Sequence, residues 1–240
     1  MPLRTMISPP QPERPKAWLA WSTGKDSAWA LHTIRQRGDF EIVALLTTVN
    51  LDHQRVAIHA VRESLLDAQA AEVRLPIVKV MIPSSCRNEI YEQAMGEAMA
   101  RARAEGVDHV VFGDLFLEDI RAYREKQLAG CGLTPVFPLW RRDTRRLAEE
   151  MLAGGLFAYL TCIDPRKLDR EFAGRRFDAG MLAALPSSVD PCGENGEFHT
   201  FACAGPMFRS AIPVAVGEIV ERDSFVFADL VPGAAAKVAV

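Results

Sequence analysis

The sequence predicts an α/β protein: a parallel-sheet, nucleotide-binding domain followed by a second, smaller mixed α/β domain. Three observations carry that expectation. Short apolar runs alternate with stretches of helical spacing four times within about 100 residues, the pattern of a parallel sheet with helices on its faces. Two polar turns, residues 22–27 and Gly113-Asp114, follow apolar runs directly. That places both at carboxyl ends of strands, where such sheets bind ligands. After about Gly130 the alternation gives way to proline-broken and glycine-rich segments.

Each element follows in order. Residues 17–21 form the first apolar run, ending at the loop. Ala28, Leu31 and Ile34 then fall three apart, which is helical spacing, and Gly38 stops that helix. Residues 41–49 (EIVALLTTV) are rich in β-branched side chains and predict a buried strand. Val56, Val61, Leu65 and Ala68 predict a helical face up to about Ala71. Residues 77–82 predict the third strand, and Ile90, Ala94, Met95, Ala98 and Ala102 mark one side of a long helix. Residues 107–112 predict the fourth strand. Beyond Gly130, residues 134–140 read as extended, and Asp143 or Thr144 caps a helix running to Gly154. A strand over 156–163, a mostly helical stretch over 168–185, a glycine-rich acidic loop over 190–199 and paired strands at 212–216 and 224–230 complete the expectation. The implied division is a flexible tail over 1–16, a first domain over 17–130 and a second over 131–240.

Composition narrows the function classes. The 240 residues are 49% hydrophobic and 25% charged, with a net charge of −3. That balance argues against a mainly electrostatic grip on nucleic acid. The five cysteines include no C-x-x-C pair and no His/Cys cluster at zinc-ligand spacing, which points to reduced thiols in the cytoplasm. The first fifteen residues carry five prolines and no apolar segment of a signal peptide. No apolar run reaches the ~18 residues of a spanning helix.

Two motifs carry chemistry. The first, Ser22-Thr23-Gly24-Lys25-Asp26-Ser27, is not a Walker loop, because Asp26 follows the lysine where a Mg²⁺-binding hydroxyl belongs. A loop opening a helix still offers backbone N–H groups to an anion. Gly24 permits close approach, the hydroxyls of Ser22, Thr23 and Ser27 add donors, and Lys25 adds charge. Asp26 would repel phosphate unless it caps the helix or holds Mg²⁺. A plain N-cap is the alternative reading. The second motif, Gly193-Glu194-Asn195-Gly196-Glu197-Phe198-His199, crowds two carboxylates and a histidine between glycines. Such a group can hold a cation, bind an amine, or serve as acid and base; a solvated acidic loop is the alternative.

Together these stretches resemble the diphthine–ammonia ligase (DUF71) family of PP-loop ATP pyrophosphatases. The pieces occur in order: WSTGKDSAWAL, IHAVRESLLDAQA, FGDLFLEDIRAYRE, PLW and DPCGENGEFHTF, covering roughly residues 17–208. The resemblance implies an adenine nucleotide alpha hydrolase-like (HUP) fold, with 17–130 as the PP-loop ATP-binding domain and 131–240 as the substrate-binding domain. It implies ATP as substrate, Mg²⁺, ammonia and a carboxylate-bearing acceptor as partners, with pyrophosphate released and an amide formed. By the same resemblance Ser22, Thr23, Gly24, Lys25, Asp26, Ser27, Thr48, Asn50, Gly113 and Asp114 bind ATP, with Asp26 and Asp114 toward the metal. Lys25, Asp26, Glu194, Glu197 and His199 are the implied catalytic set, and His59, Arg62, Glu194, Asn195 and Glu197 face the acceptor. Thr23 departs from the pattern, since the family usually has Gly or Ser there. Two other readings remain: a tRNA-modifying PP-loop enzyme, disfavoured by the acidic charge and absent C-x-x-C, and an ATP-binding sensor without chemistry, which leaves the second motif without a task.

Overall fold

The computed structural model describes residues 14–52, 55–56, 61–83 and 87–233. The first half runs β1 (Lys16–Ala20), α1 (Lys25–Arg37), β2 (Glu41–Asn50), β3 (Arg55–Val56), α2 (Glu63–Val73), β4 (Ile77–Ile82), α3 (Asn88–Ala104), β5 (His109–Val111), α4 (Glu118–Ala129) and β6 (Thr134–Val136). The five main strands pair in parallel in the order β4-β2-β1-β5-β6, and the short β3 pairs antiparallel with the end of β2. The chain works outward from β1 to β4, then returns to the other side of β1 for β5. The switch point therefore lies between β1 and β5, the place where open parallel sheets bind ligands.

The second half runs α5 (Thr144–Ala153), β7 (Phe157–Ile163), β8 (Arg176–Phe177), α6 (Ala179–Ala184), β9 (Phe198–Ala204), β10 (Val214–Arg222) and β11 (Phe225–Pro232). Its strands pair antiparallel throughout, with β7 bonded to β8, β9 and β11, and β10 completing a hairpin with β11. Asp223 and Ser224 both take positive φ, 51° and 65°. This is the backbone that a two-residue hairpin turn requires.

Local sequence explains most boundaries. Gly38 at φ 68° closes α1 and its N–H bonds to the Ile34 carbonyl, a left-handed stop that glycine adopts without strain. Asp143 caps α5 by accepting from the Arg146 N–H at 2.8 Å. Two expectations need correction. The helical face drawn from Val56 does not form: Val56 lies in β3, Arg62 is extended, and α2 begins at Glu63. Residues 168–185 are not mostly helical. They hold a 3₁₀ turn at Arg170–Phe172, then β8, then six residues of α6. Gly174, at φ 76°, turns the chain there; an added Cβ would sit 2.8 Å from Val216 Cγ1. The division drawn before residue 131 precedes β6, which still pairs with β5 in the first sheet. The expected tail over 1–16 lies outside the described residues up to position 13, and Lys16 already pairs in β1.

The two halves share a core. Leu19, Trp21, Leu31 and Leu65 from the first half pack in one buried cluster with Leu160, Phe177 and Phe201 from the second. The opposite face of the first sheet, including Trp18, Leu46 and Val110, packs against Met99 and Ala102 of α3. Each such large apolar side chain, fully buried, contributes about 1.5–3 kcal/mol. No helix among the described residues is long and apolar enough to cross a membrane.

Candidate active site

β1 ends where the chain leaves the sheet, and Ser22, Thr23 and Gly24 carry it into α1. The first-turn N–H groups of a helix have no partner within it, so this loop must satisfy or offer them. Ser22 Oγ lies 3.4 Å from the Gly24 N–H, and the Ser22 N–H lies 3.3 Å from Ser27 Oγ. The Lys25 N–H donates across to Thr200 Oγ1 of β9 at 3.1 Å. Thr23 sits at φ 71°, a backbone region costly for a β-branched residue. Its carbonyl accepts from the Ala202 N–H of β9 at 2.9 Å.

Lys25 is buried, 2% exposed. Its ammonium donates to Asp26 Oδ2 at 2.9 Å and to the Cys192 carbonyl. It also lies over the Phe198 ring at 5.3 Å. Burial disfavours the charge, but Asp26 and the surrounding anionic groups outweigh it and raise the Lys25 pKa. Burial lifts the Asp26 carboxyl above its usual range, and Lys25 offsets only part of that.

A cavity of about 370 Å³ opens at the switch point. Ser22, Lys25, Asp26 and Ser27 form its floor, with Thr48 of β2, Gly113 and Asp114 beside them. Glu194, His199 and Thr200 form the wall from the second half. Gly113 has no room for a side chain: an added Cβ would lie 2.9 Å from the Asp26 carbonyl carbon and from the Ser27 nitrogen. Glu194 Oε1 accepts the Leu115 N–H at 2.7 Å, joining the two halves across the cavity. Burial first, then the charge of Asp26, pushes the Glu194 carboxyl up to about 7. Burial, then Lys25, pushes His199 down to about 4, so its imidazole is neutral at neutral pH.

The other expected residues lie elsewhere. Thr23 is buried behind the loop and Gly24 is the helix N-cap; neither lines the cavity, nor do Asn50, Asn195 and Glu197. Asn50 Oδ1 accepts the Asp52 N–H at 2.9 Å. Glu197 is 2% exposed, and its Oε1 accepts from the Asp190 N–H at 3.0 Å and from Asn195 Nδ2 at 3.2 Å. It holds the acidic loop in shape. Arg62 is ion-paired with Asp229 of β11 at 2.5 Å, and His59 lies outside the described residues. Arg124 was not anticipated. It lines the cavity, pairs with Asp114 Oδ2 through Nε at 2.8 Å and stacks on Phe112 at 4.4 Å. Thr200 and the Cys192 carbonyl were also missed. Their only signal was adjacency to the acidic motif.

Among the described residues, no group of three or more His, Cys, Asp or Glu is arranged to hold a metal. The cavity does present the carboxylates of Asp26 and Asp114, and Asp26 Oδ1 is buried without a hydrogen-bond partner. Hard oxygens of this kind, one or two carboxylates completed by phosphate and water, suit Mg²⁺.

Comparison with known proteins agrees with this architecture. Residues 15–135 match the diphthamide synthase N-terminal domain and residues 143–229 the diphthamide synthase C-terminal domain. Among curated relatives, a zebrafish protein named diphthine–ammonia ligase is 30% identical over 128 residues, covering 51% of this chain and 50% of its own. The cattle protein of the same name is 24% identical over 229 residues, covering 86% and 85%. A fission yeast protein of that name is 30% identical over 97 residues, of which the matched part is 39% of this chain and 16% of its own. The chain thus spans half or less of two of these relatives and most of the third. With both domain matches in order along a single shared core, the chain belongs to the diphthamide synthase (DUF71) family.

Proposed function

We propose that this protein is an ATP-dependent ligase that adenylates a substrate carboxylate, releases pyrophosphate and forms an amide with ammonia. The observation that carries the reading is that Ser22, Lys25, Asp26 and Ser27 line one cavity with Glu194 and His199 from opposite halves of the chain. In this reading the sheet half binds the nucleotide and the C-terminal half serves the acceptor and ammonia. The hydroxyls of Ser22 and Ser27 and the Lys25 ammonium, all on the cavity wall, receive the β,γ-phosphates at the start of α1. The apolar wall of Leu46, Met95 and Phe112 suits the adenine ring. Asp26 and Asp114 would hold Mg²⁺, which neutralises charge on the triphosphate.

An acceptor carboxylate oxygen attacks the α-phosphorus, and the bond to the pyrophosphate oxygen breaks. Ammonia then attacks the acyl carbon of the adenylate, and the bond to the AMP oxygen breaks. The nitrogen must lose a proton as the amide forms. Glu194, with its pKa near 7, is matched to take it at neutral pH. Neutral His199 can accept or donate a hydrogen bond beside it without adding positive charge. The names of the relatives supply the ammonia and the ligase chemistry. The acceptor is carried over only as a carboxylate, on a small molecule or a protein side chain.

The test is a product assay on the purified protein with Mg·ATP, ammonium and a pool of carboxylic acids, read by mass spectrometry. The expected products are AMP, pyrophosphate and a new amide carrying label from ¹⁵N-ammonium. ADP and phosphate as products would overturn the mechanism. An absence of turnover with ATP bound, with protein acceptors tested as well as the acid pool, would favour the nucleotide-sensor reading.

A further inference from the structure

We propose that Gln69 of α2 is a positioning residue that holds the phosphate loop in its binding conformation and locks it to the second sheet. The proposal rests on reading residues 22–27 as the nucleotide loop. Gln69 is completely buried, yet it is not on the cavity wall. Its Oε1 accepts the Trp21 indole N–H at 2.7 Å. Its Nε2 donates to the Thr23 carbonyl at 2.9 Å and to the Ala202 carbonyl at 2.6 Å. One side chain thereby ties together the end of β1, the loop and β9.

The chemistry of the site selects glutamine. It needs one acceptor facing an N–H and two donors facing carbonyls, which is the inventory of a primary amide. A carboxylate would oppose two carbonyl oxygens, and an apolar side chain would leave the Trp21 N–H without its acceptor and take one donor from each carbonyl in a dry core. The strained residue explains why the lock is needed. Thr23, at φ 71°, is a β-branched residue in a conformation that persists only where its surroundings over-determine it. Both donors to its carbonyl, Gln69 Nε2 and the Ala202 N–H, come from outside the loop. The next residue, Gly24, is the N-cap of α1. The Thr23 peptide therefore sets where the first-turn N–H groups point, and Gln69 acts on the nucleotide through it.

The experiment uses Gln69→Met, close in volume, on the full chain. Hydrogen exchange without nucleotide should quicken at residues 22–27 and 198–204, and Mg·ATP affinity by calorimetry should fall about tenfold, the order expected for losing polar contacts of this kind. Adding Thr23→Gly, which adopts positive φ freely, should recover affinity to within about threefold. Unchanged exchange and unchanged affinity in Gln69→Met would overturn the proposal, as would failure of Thr23→Gly to recover affinity. If Gln69→Met does not fold, Gln69→Glu takes its place. Its ATP affinity relative to wild type should rise as pH falls from 8 to 6, because protonation restores one donor; a flat ratio overturns the proposal. Wild-type protein that binds no ATP would overturn the function proposed above, and the exchange data would still decide the role of Gln69.

Discussion

Glu194 and Glu197 stand three positions apart in one motif, and the fold gives them opposite tasks. Glu194 faces the cavity with a pKa of about 7 against an ordinary 4.5. The folded state therefore binds more protons than the unfolded state between those values, and the stability from this group falls as pH rises through that window. His199 works the other way. Its pKa of about 4 against 6.5 makes its contribution fall as pH drops from 6.5 toward 4, so the two slopes oppose each other. Glu194→Gln should remove only the first. Its thermal midpoint should exceed wild type above pH 7, by the equivalent of up to about 3 kcal/mol, and the gap should close toward pH 4.5. A midpoint series over pH 4.5–8 checks this. Glu197→Ala should instead destabilise at every pH. It strands the Asp190 N–H, a loss of about 1–3 kcal/mol, measurable by denaturant unfolding.

At the scale of elements, the close approach of the Gly113 turn to the start of α1 positions the floor of the cavity. Gly113→Ala drives a Cβ into the backbone of Asp26 and Ser27. Backbone cannot swing aside as a flexible side chain can, so we expect a loss of about 1–3 kcal/mol together with weakened ATP binding by calorimetry. The elements that were legible from sequence were those with a clear period. The alternation in α1 and α3, the β-branched run of β2 and the Asp143 cap of α5 all appear where expected. Helix α4 had no apolar stripe to reveal it, since Leu128 is its one buried residue. Strand β9 was hidden for the opposite reason. Phe198–Ala204 is covered on both faces, so it lacks the polar-apolar alternation of a half-exposed strand. Its position made Phe198 and His199 look like loop residues. The sequence also put Glu194 and Glu197 in one motif without showing which faced the cavity, because Glu194 meets the Leu115 N–H far along the chain while Glu197 folds back onto Asp190 and Asn195.

At the scale of the molecule, the two sheets are joined by a shared core and by a polar clasp at their edge. Asp229 of β11 accepts from Arg55 at 2.8 Å and from Arg62 at 2.5 Å. Burial works against this carboxylate, but the two guanidinium groups outweigh it and hold its pKa below the usual range. Its contribution is therefore present above the ordinary Asp pKa and is lost as pH falls through the lowered one. Asp229→Ala should cost about 1 kcal/mol at pH 7, a figure kept small because Arg62 is 42% exposed. The acid limb of the stability profile should flatten in the variant, as read from thermal midpoints between pH 2 and 6. The stitching of loop 22–27 to β9 has a further consequence for anyone wishing to borrow it. A fragment ending after Val136 keeps every residue of the loop and loses Thr200, Ala202 and the carbonyl that receives Lys25. The first half is therefore not a transplantable cassette. A chimera of this chain joined at the linker between β6 and α5 would need its β9 matched to the loop it inherits.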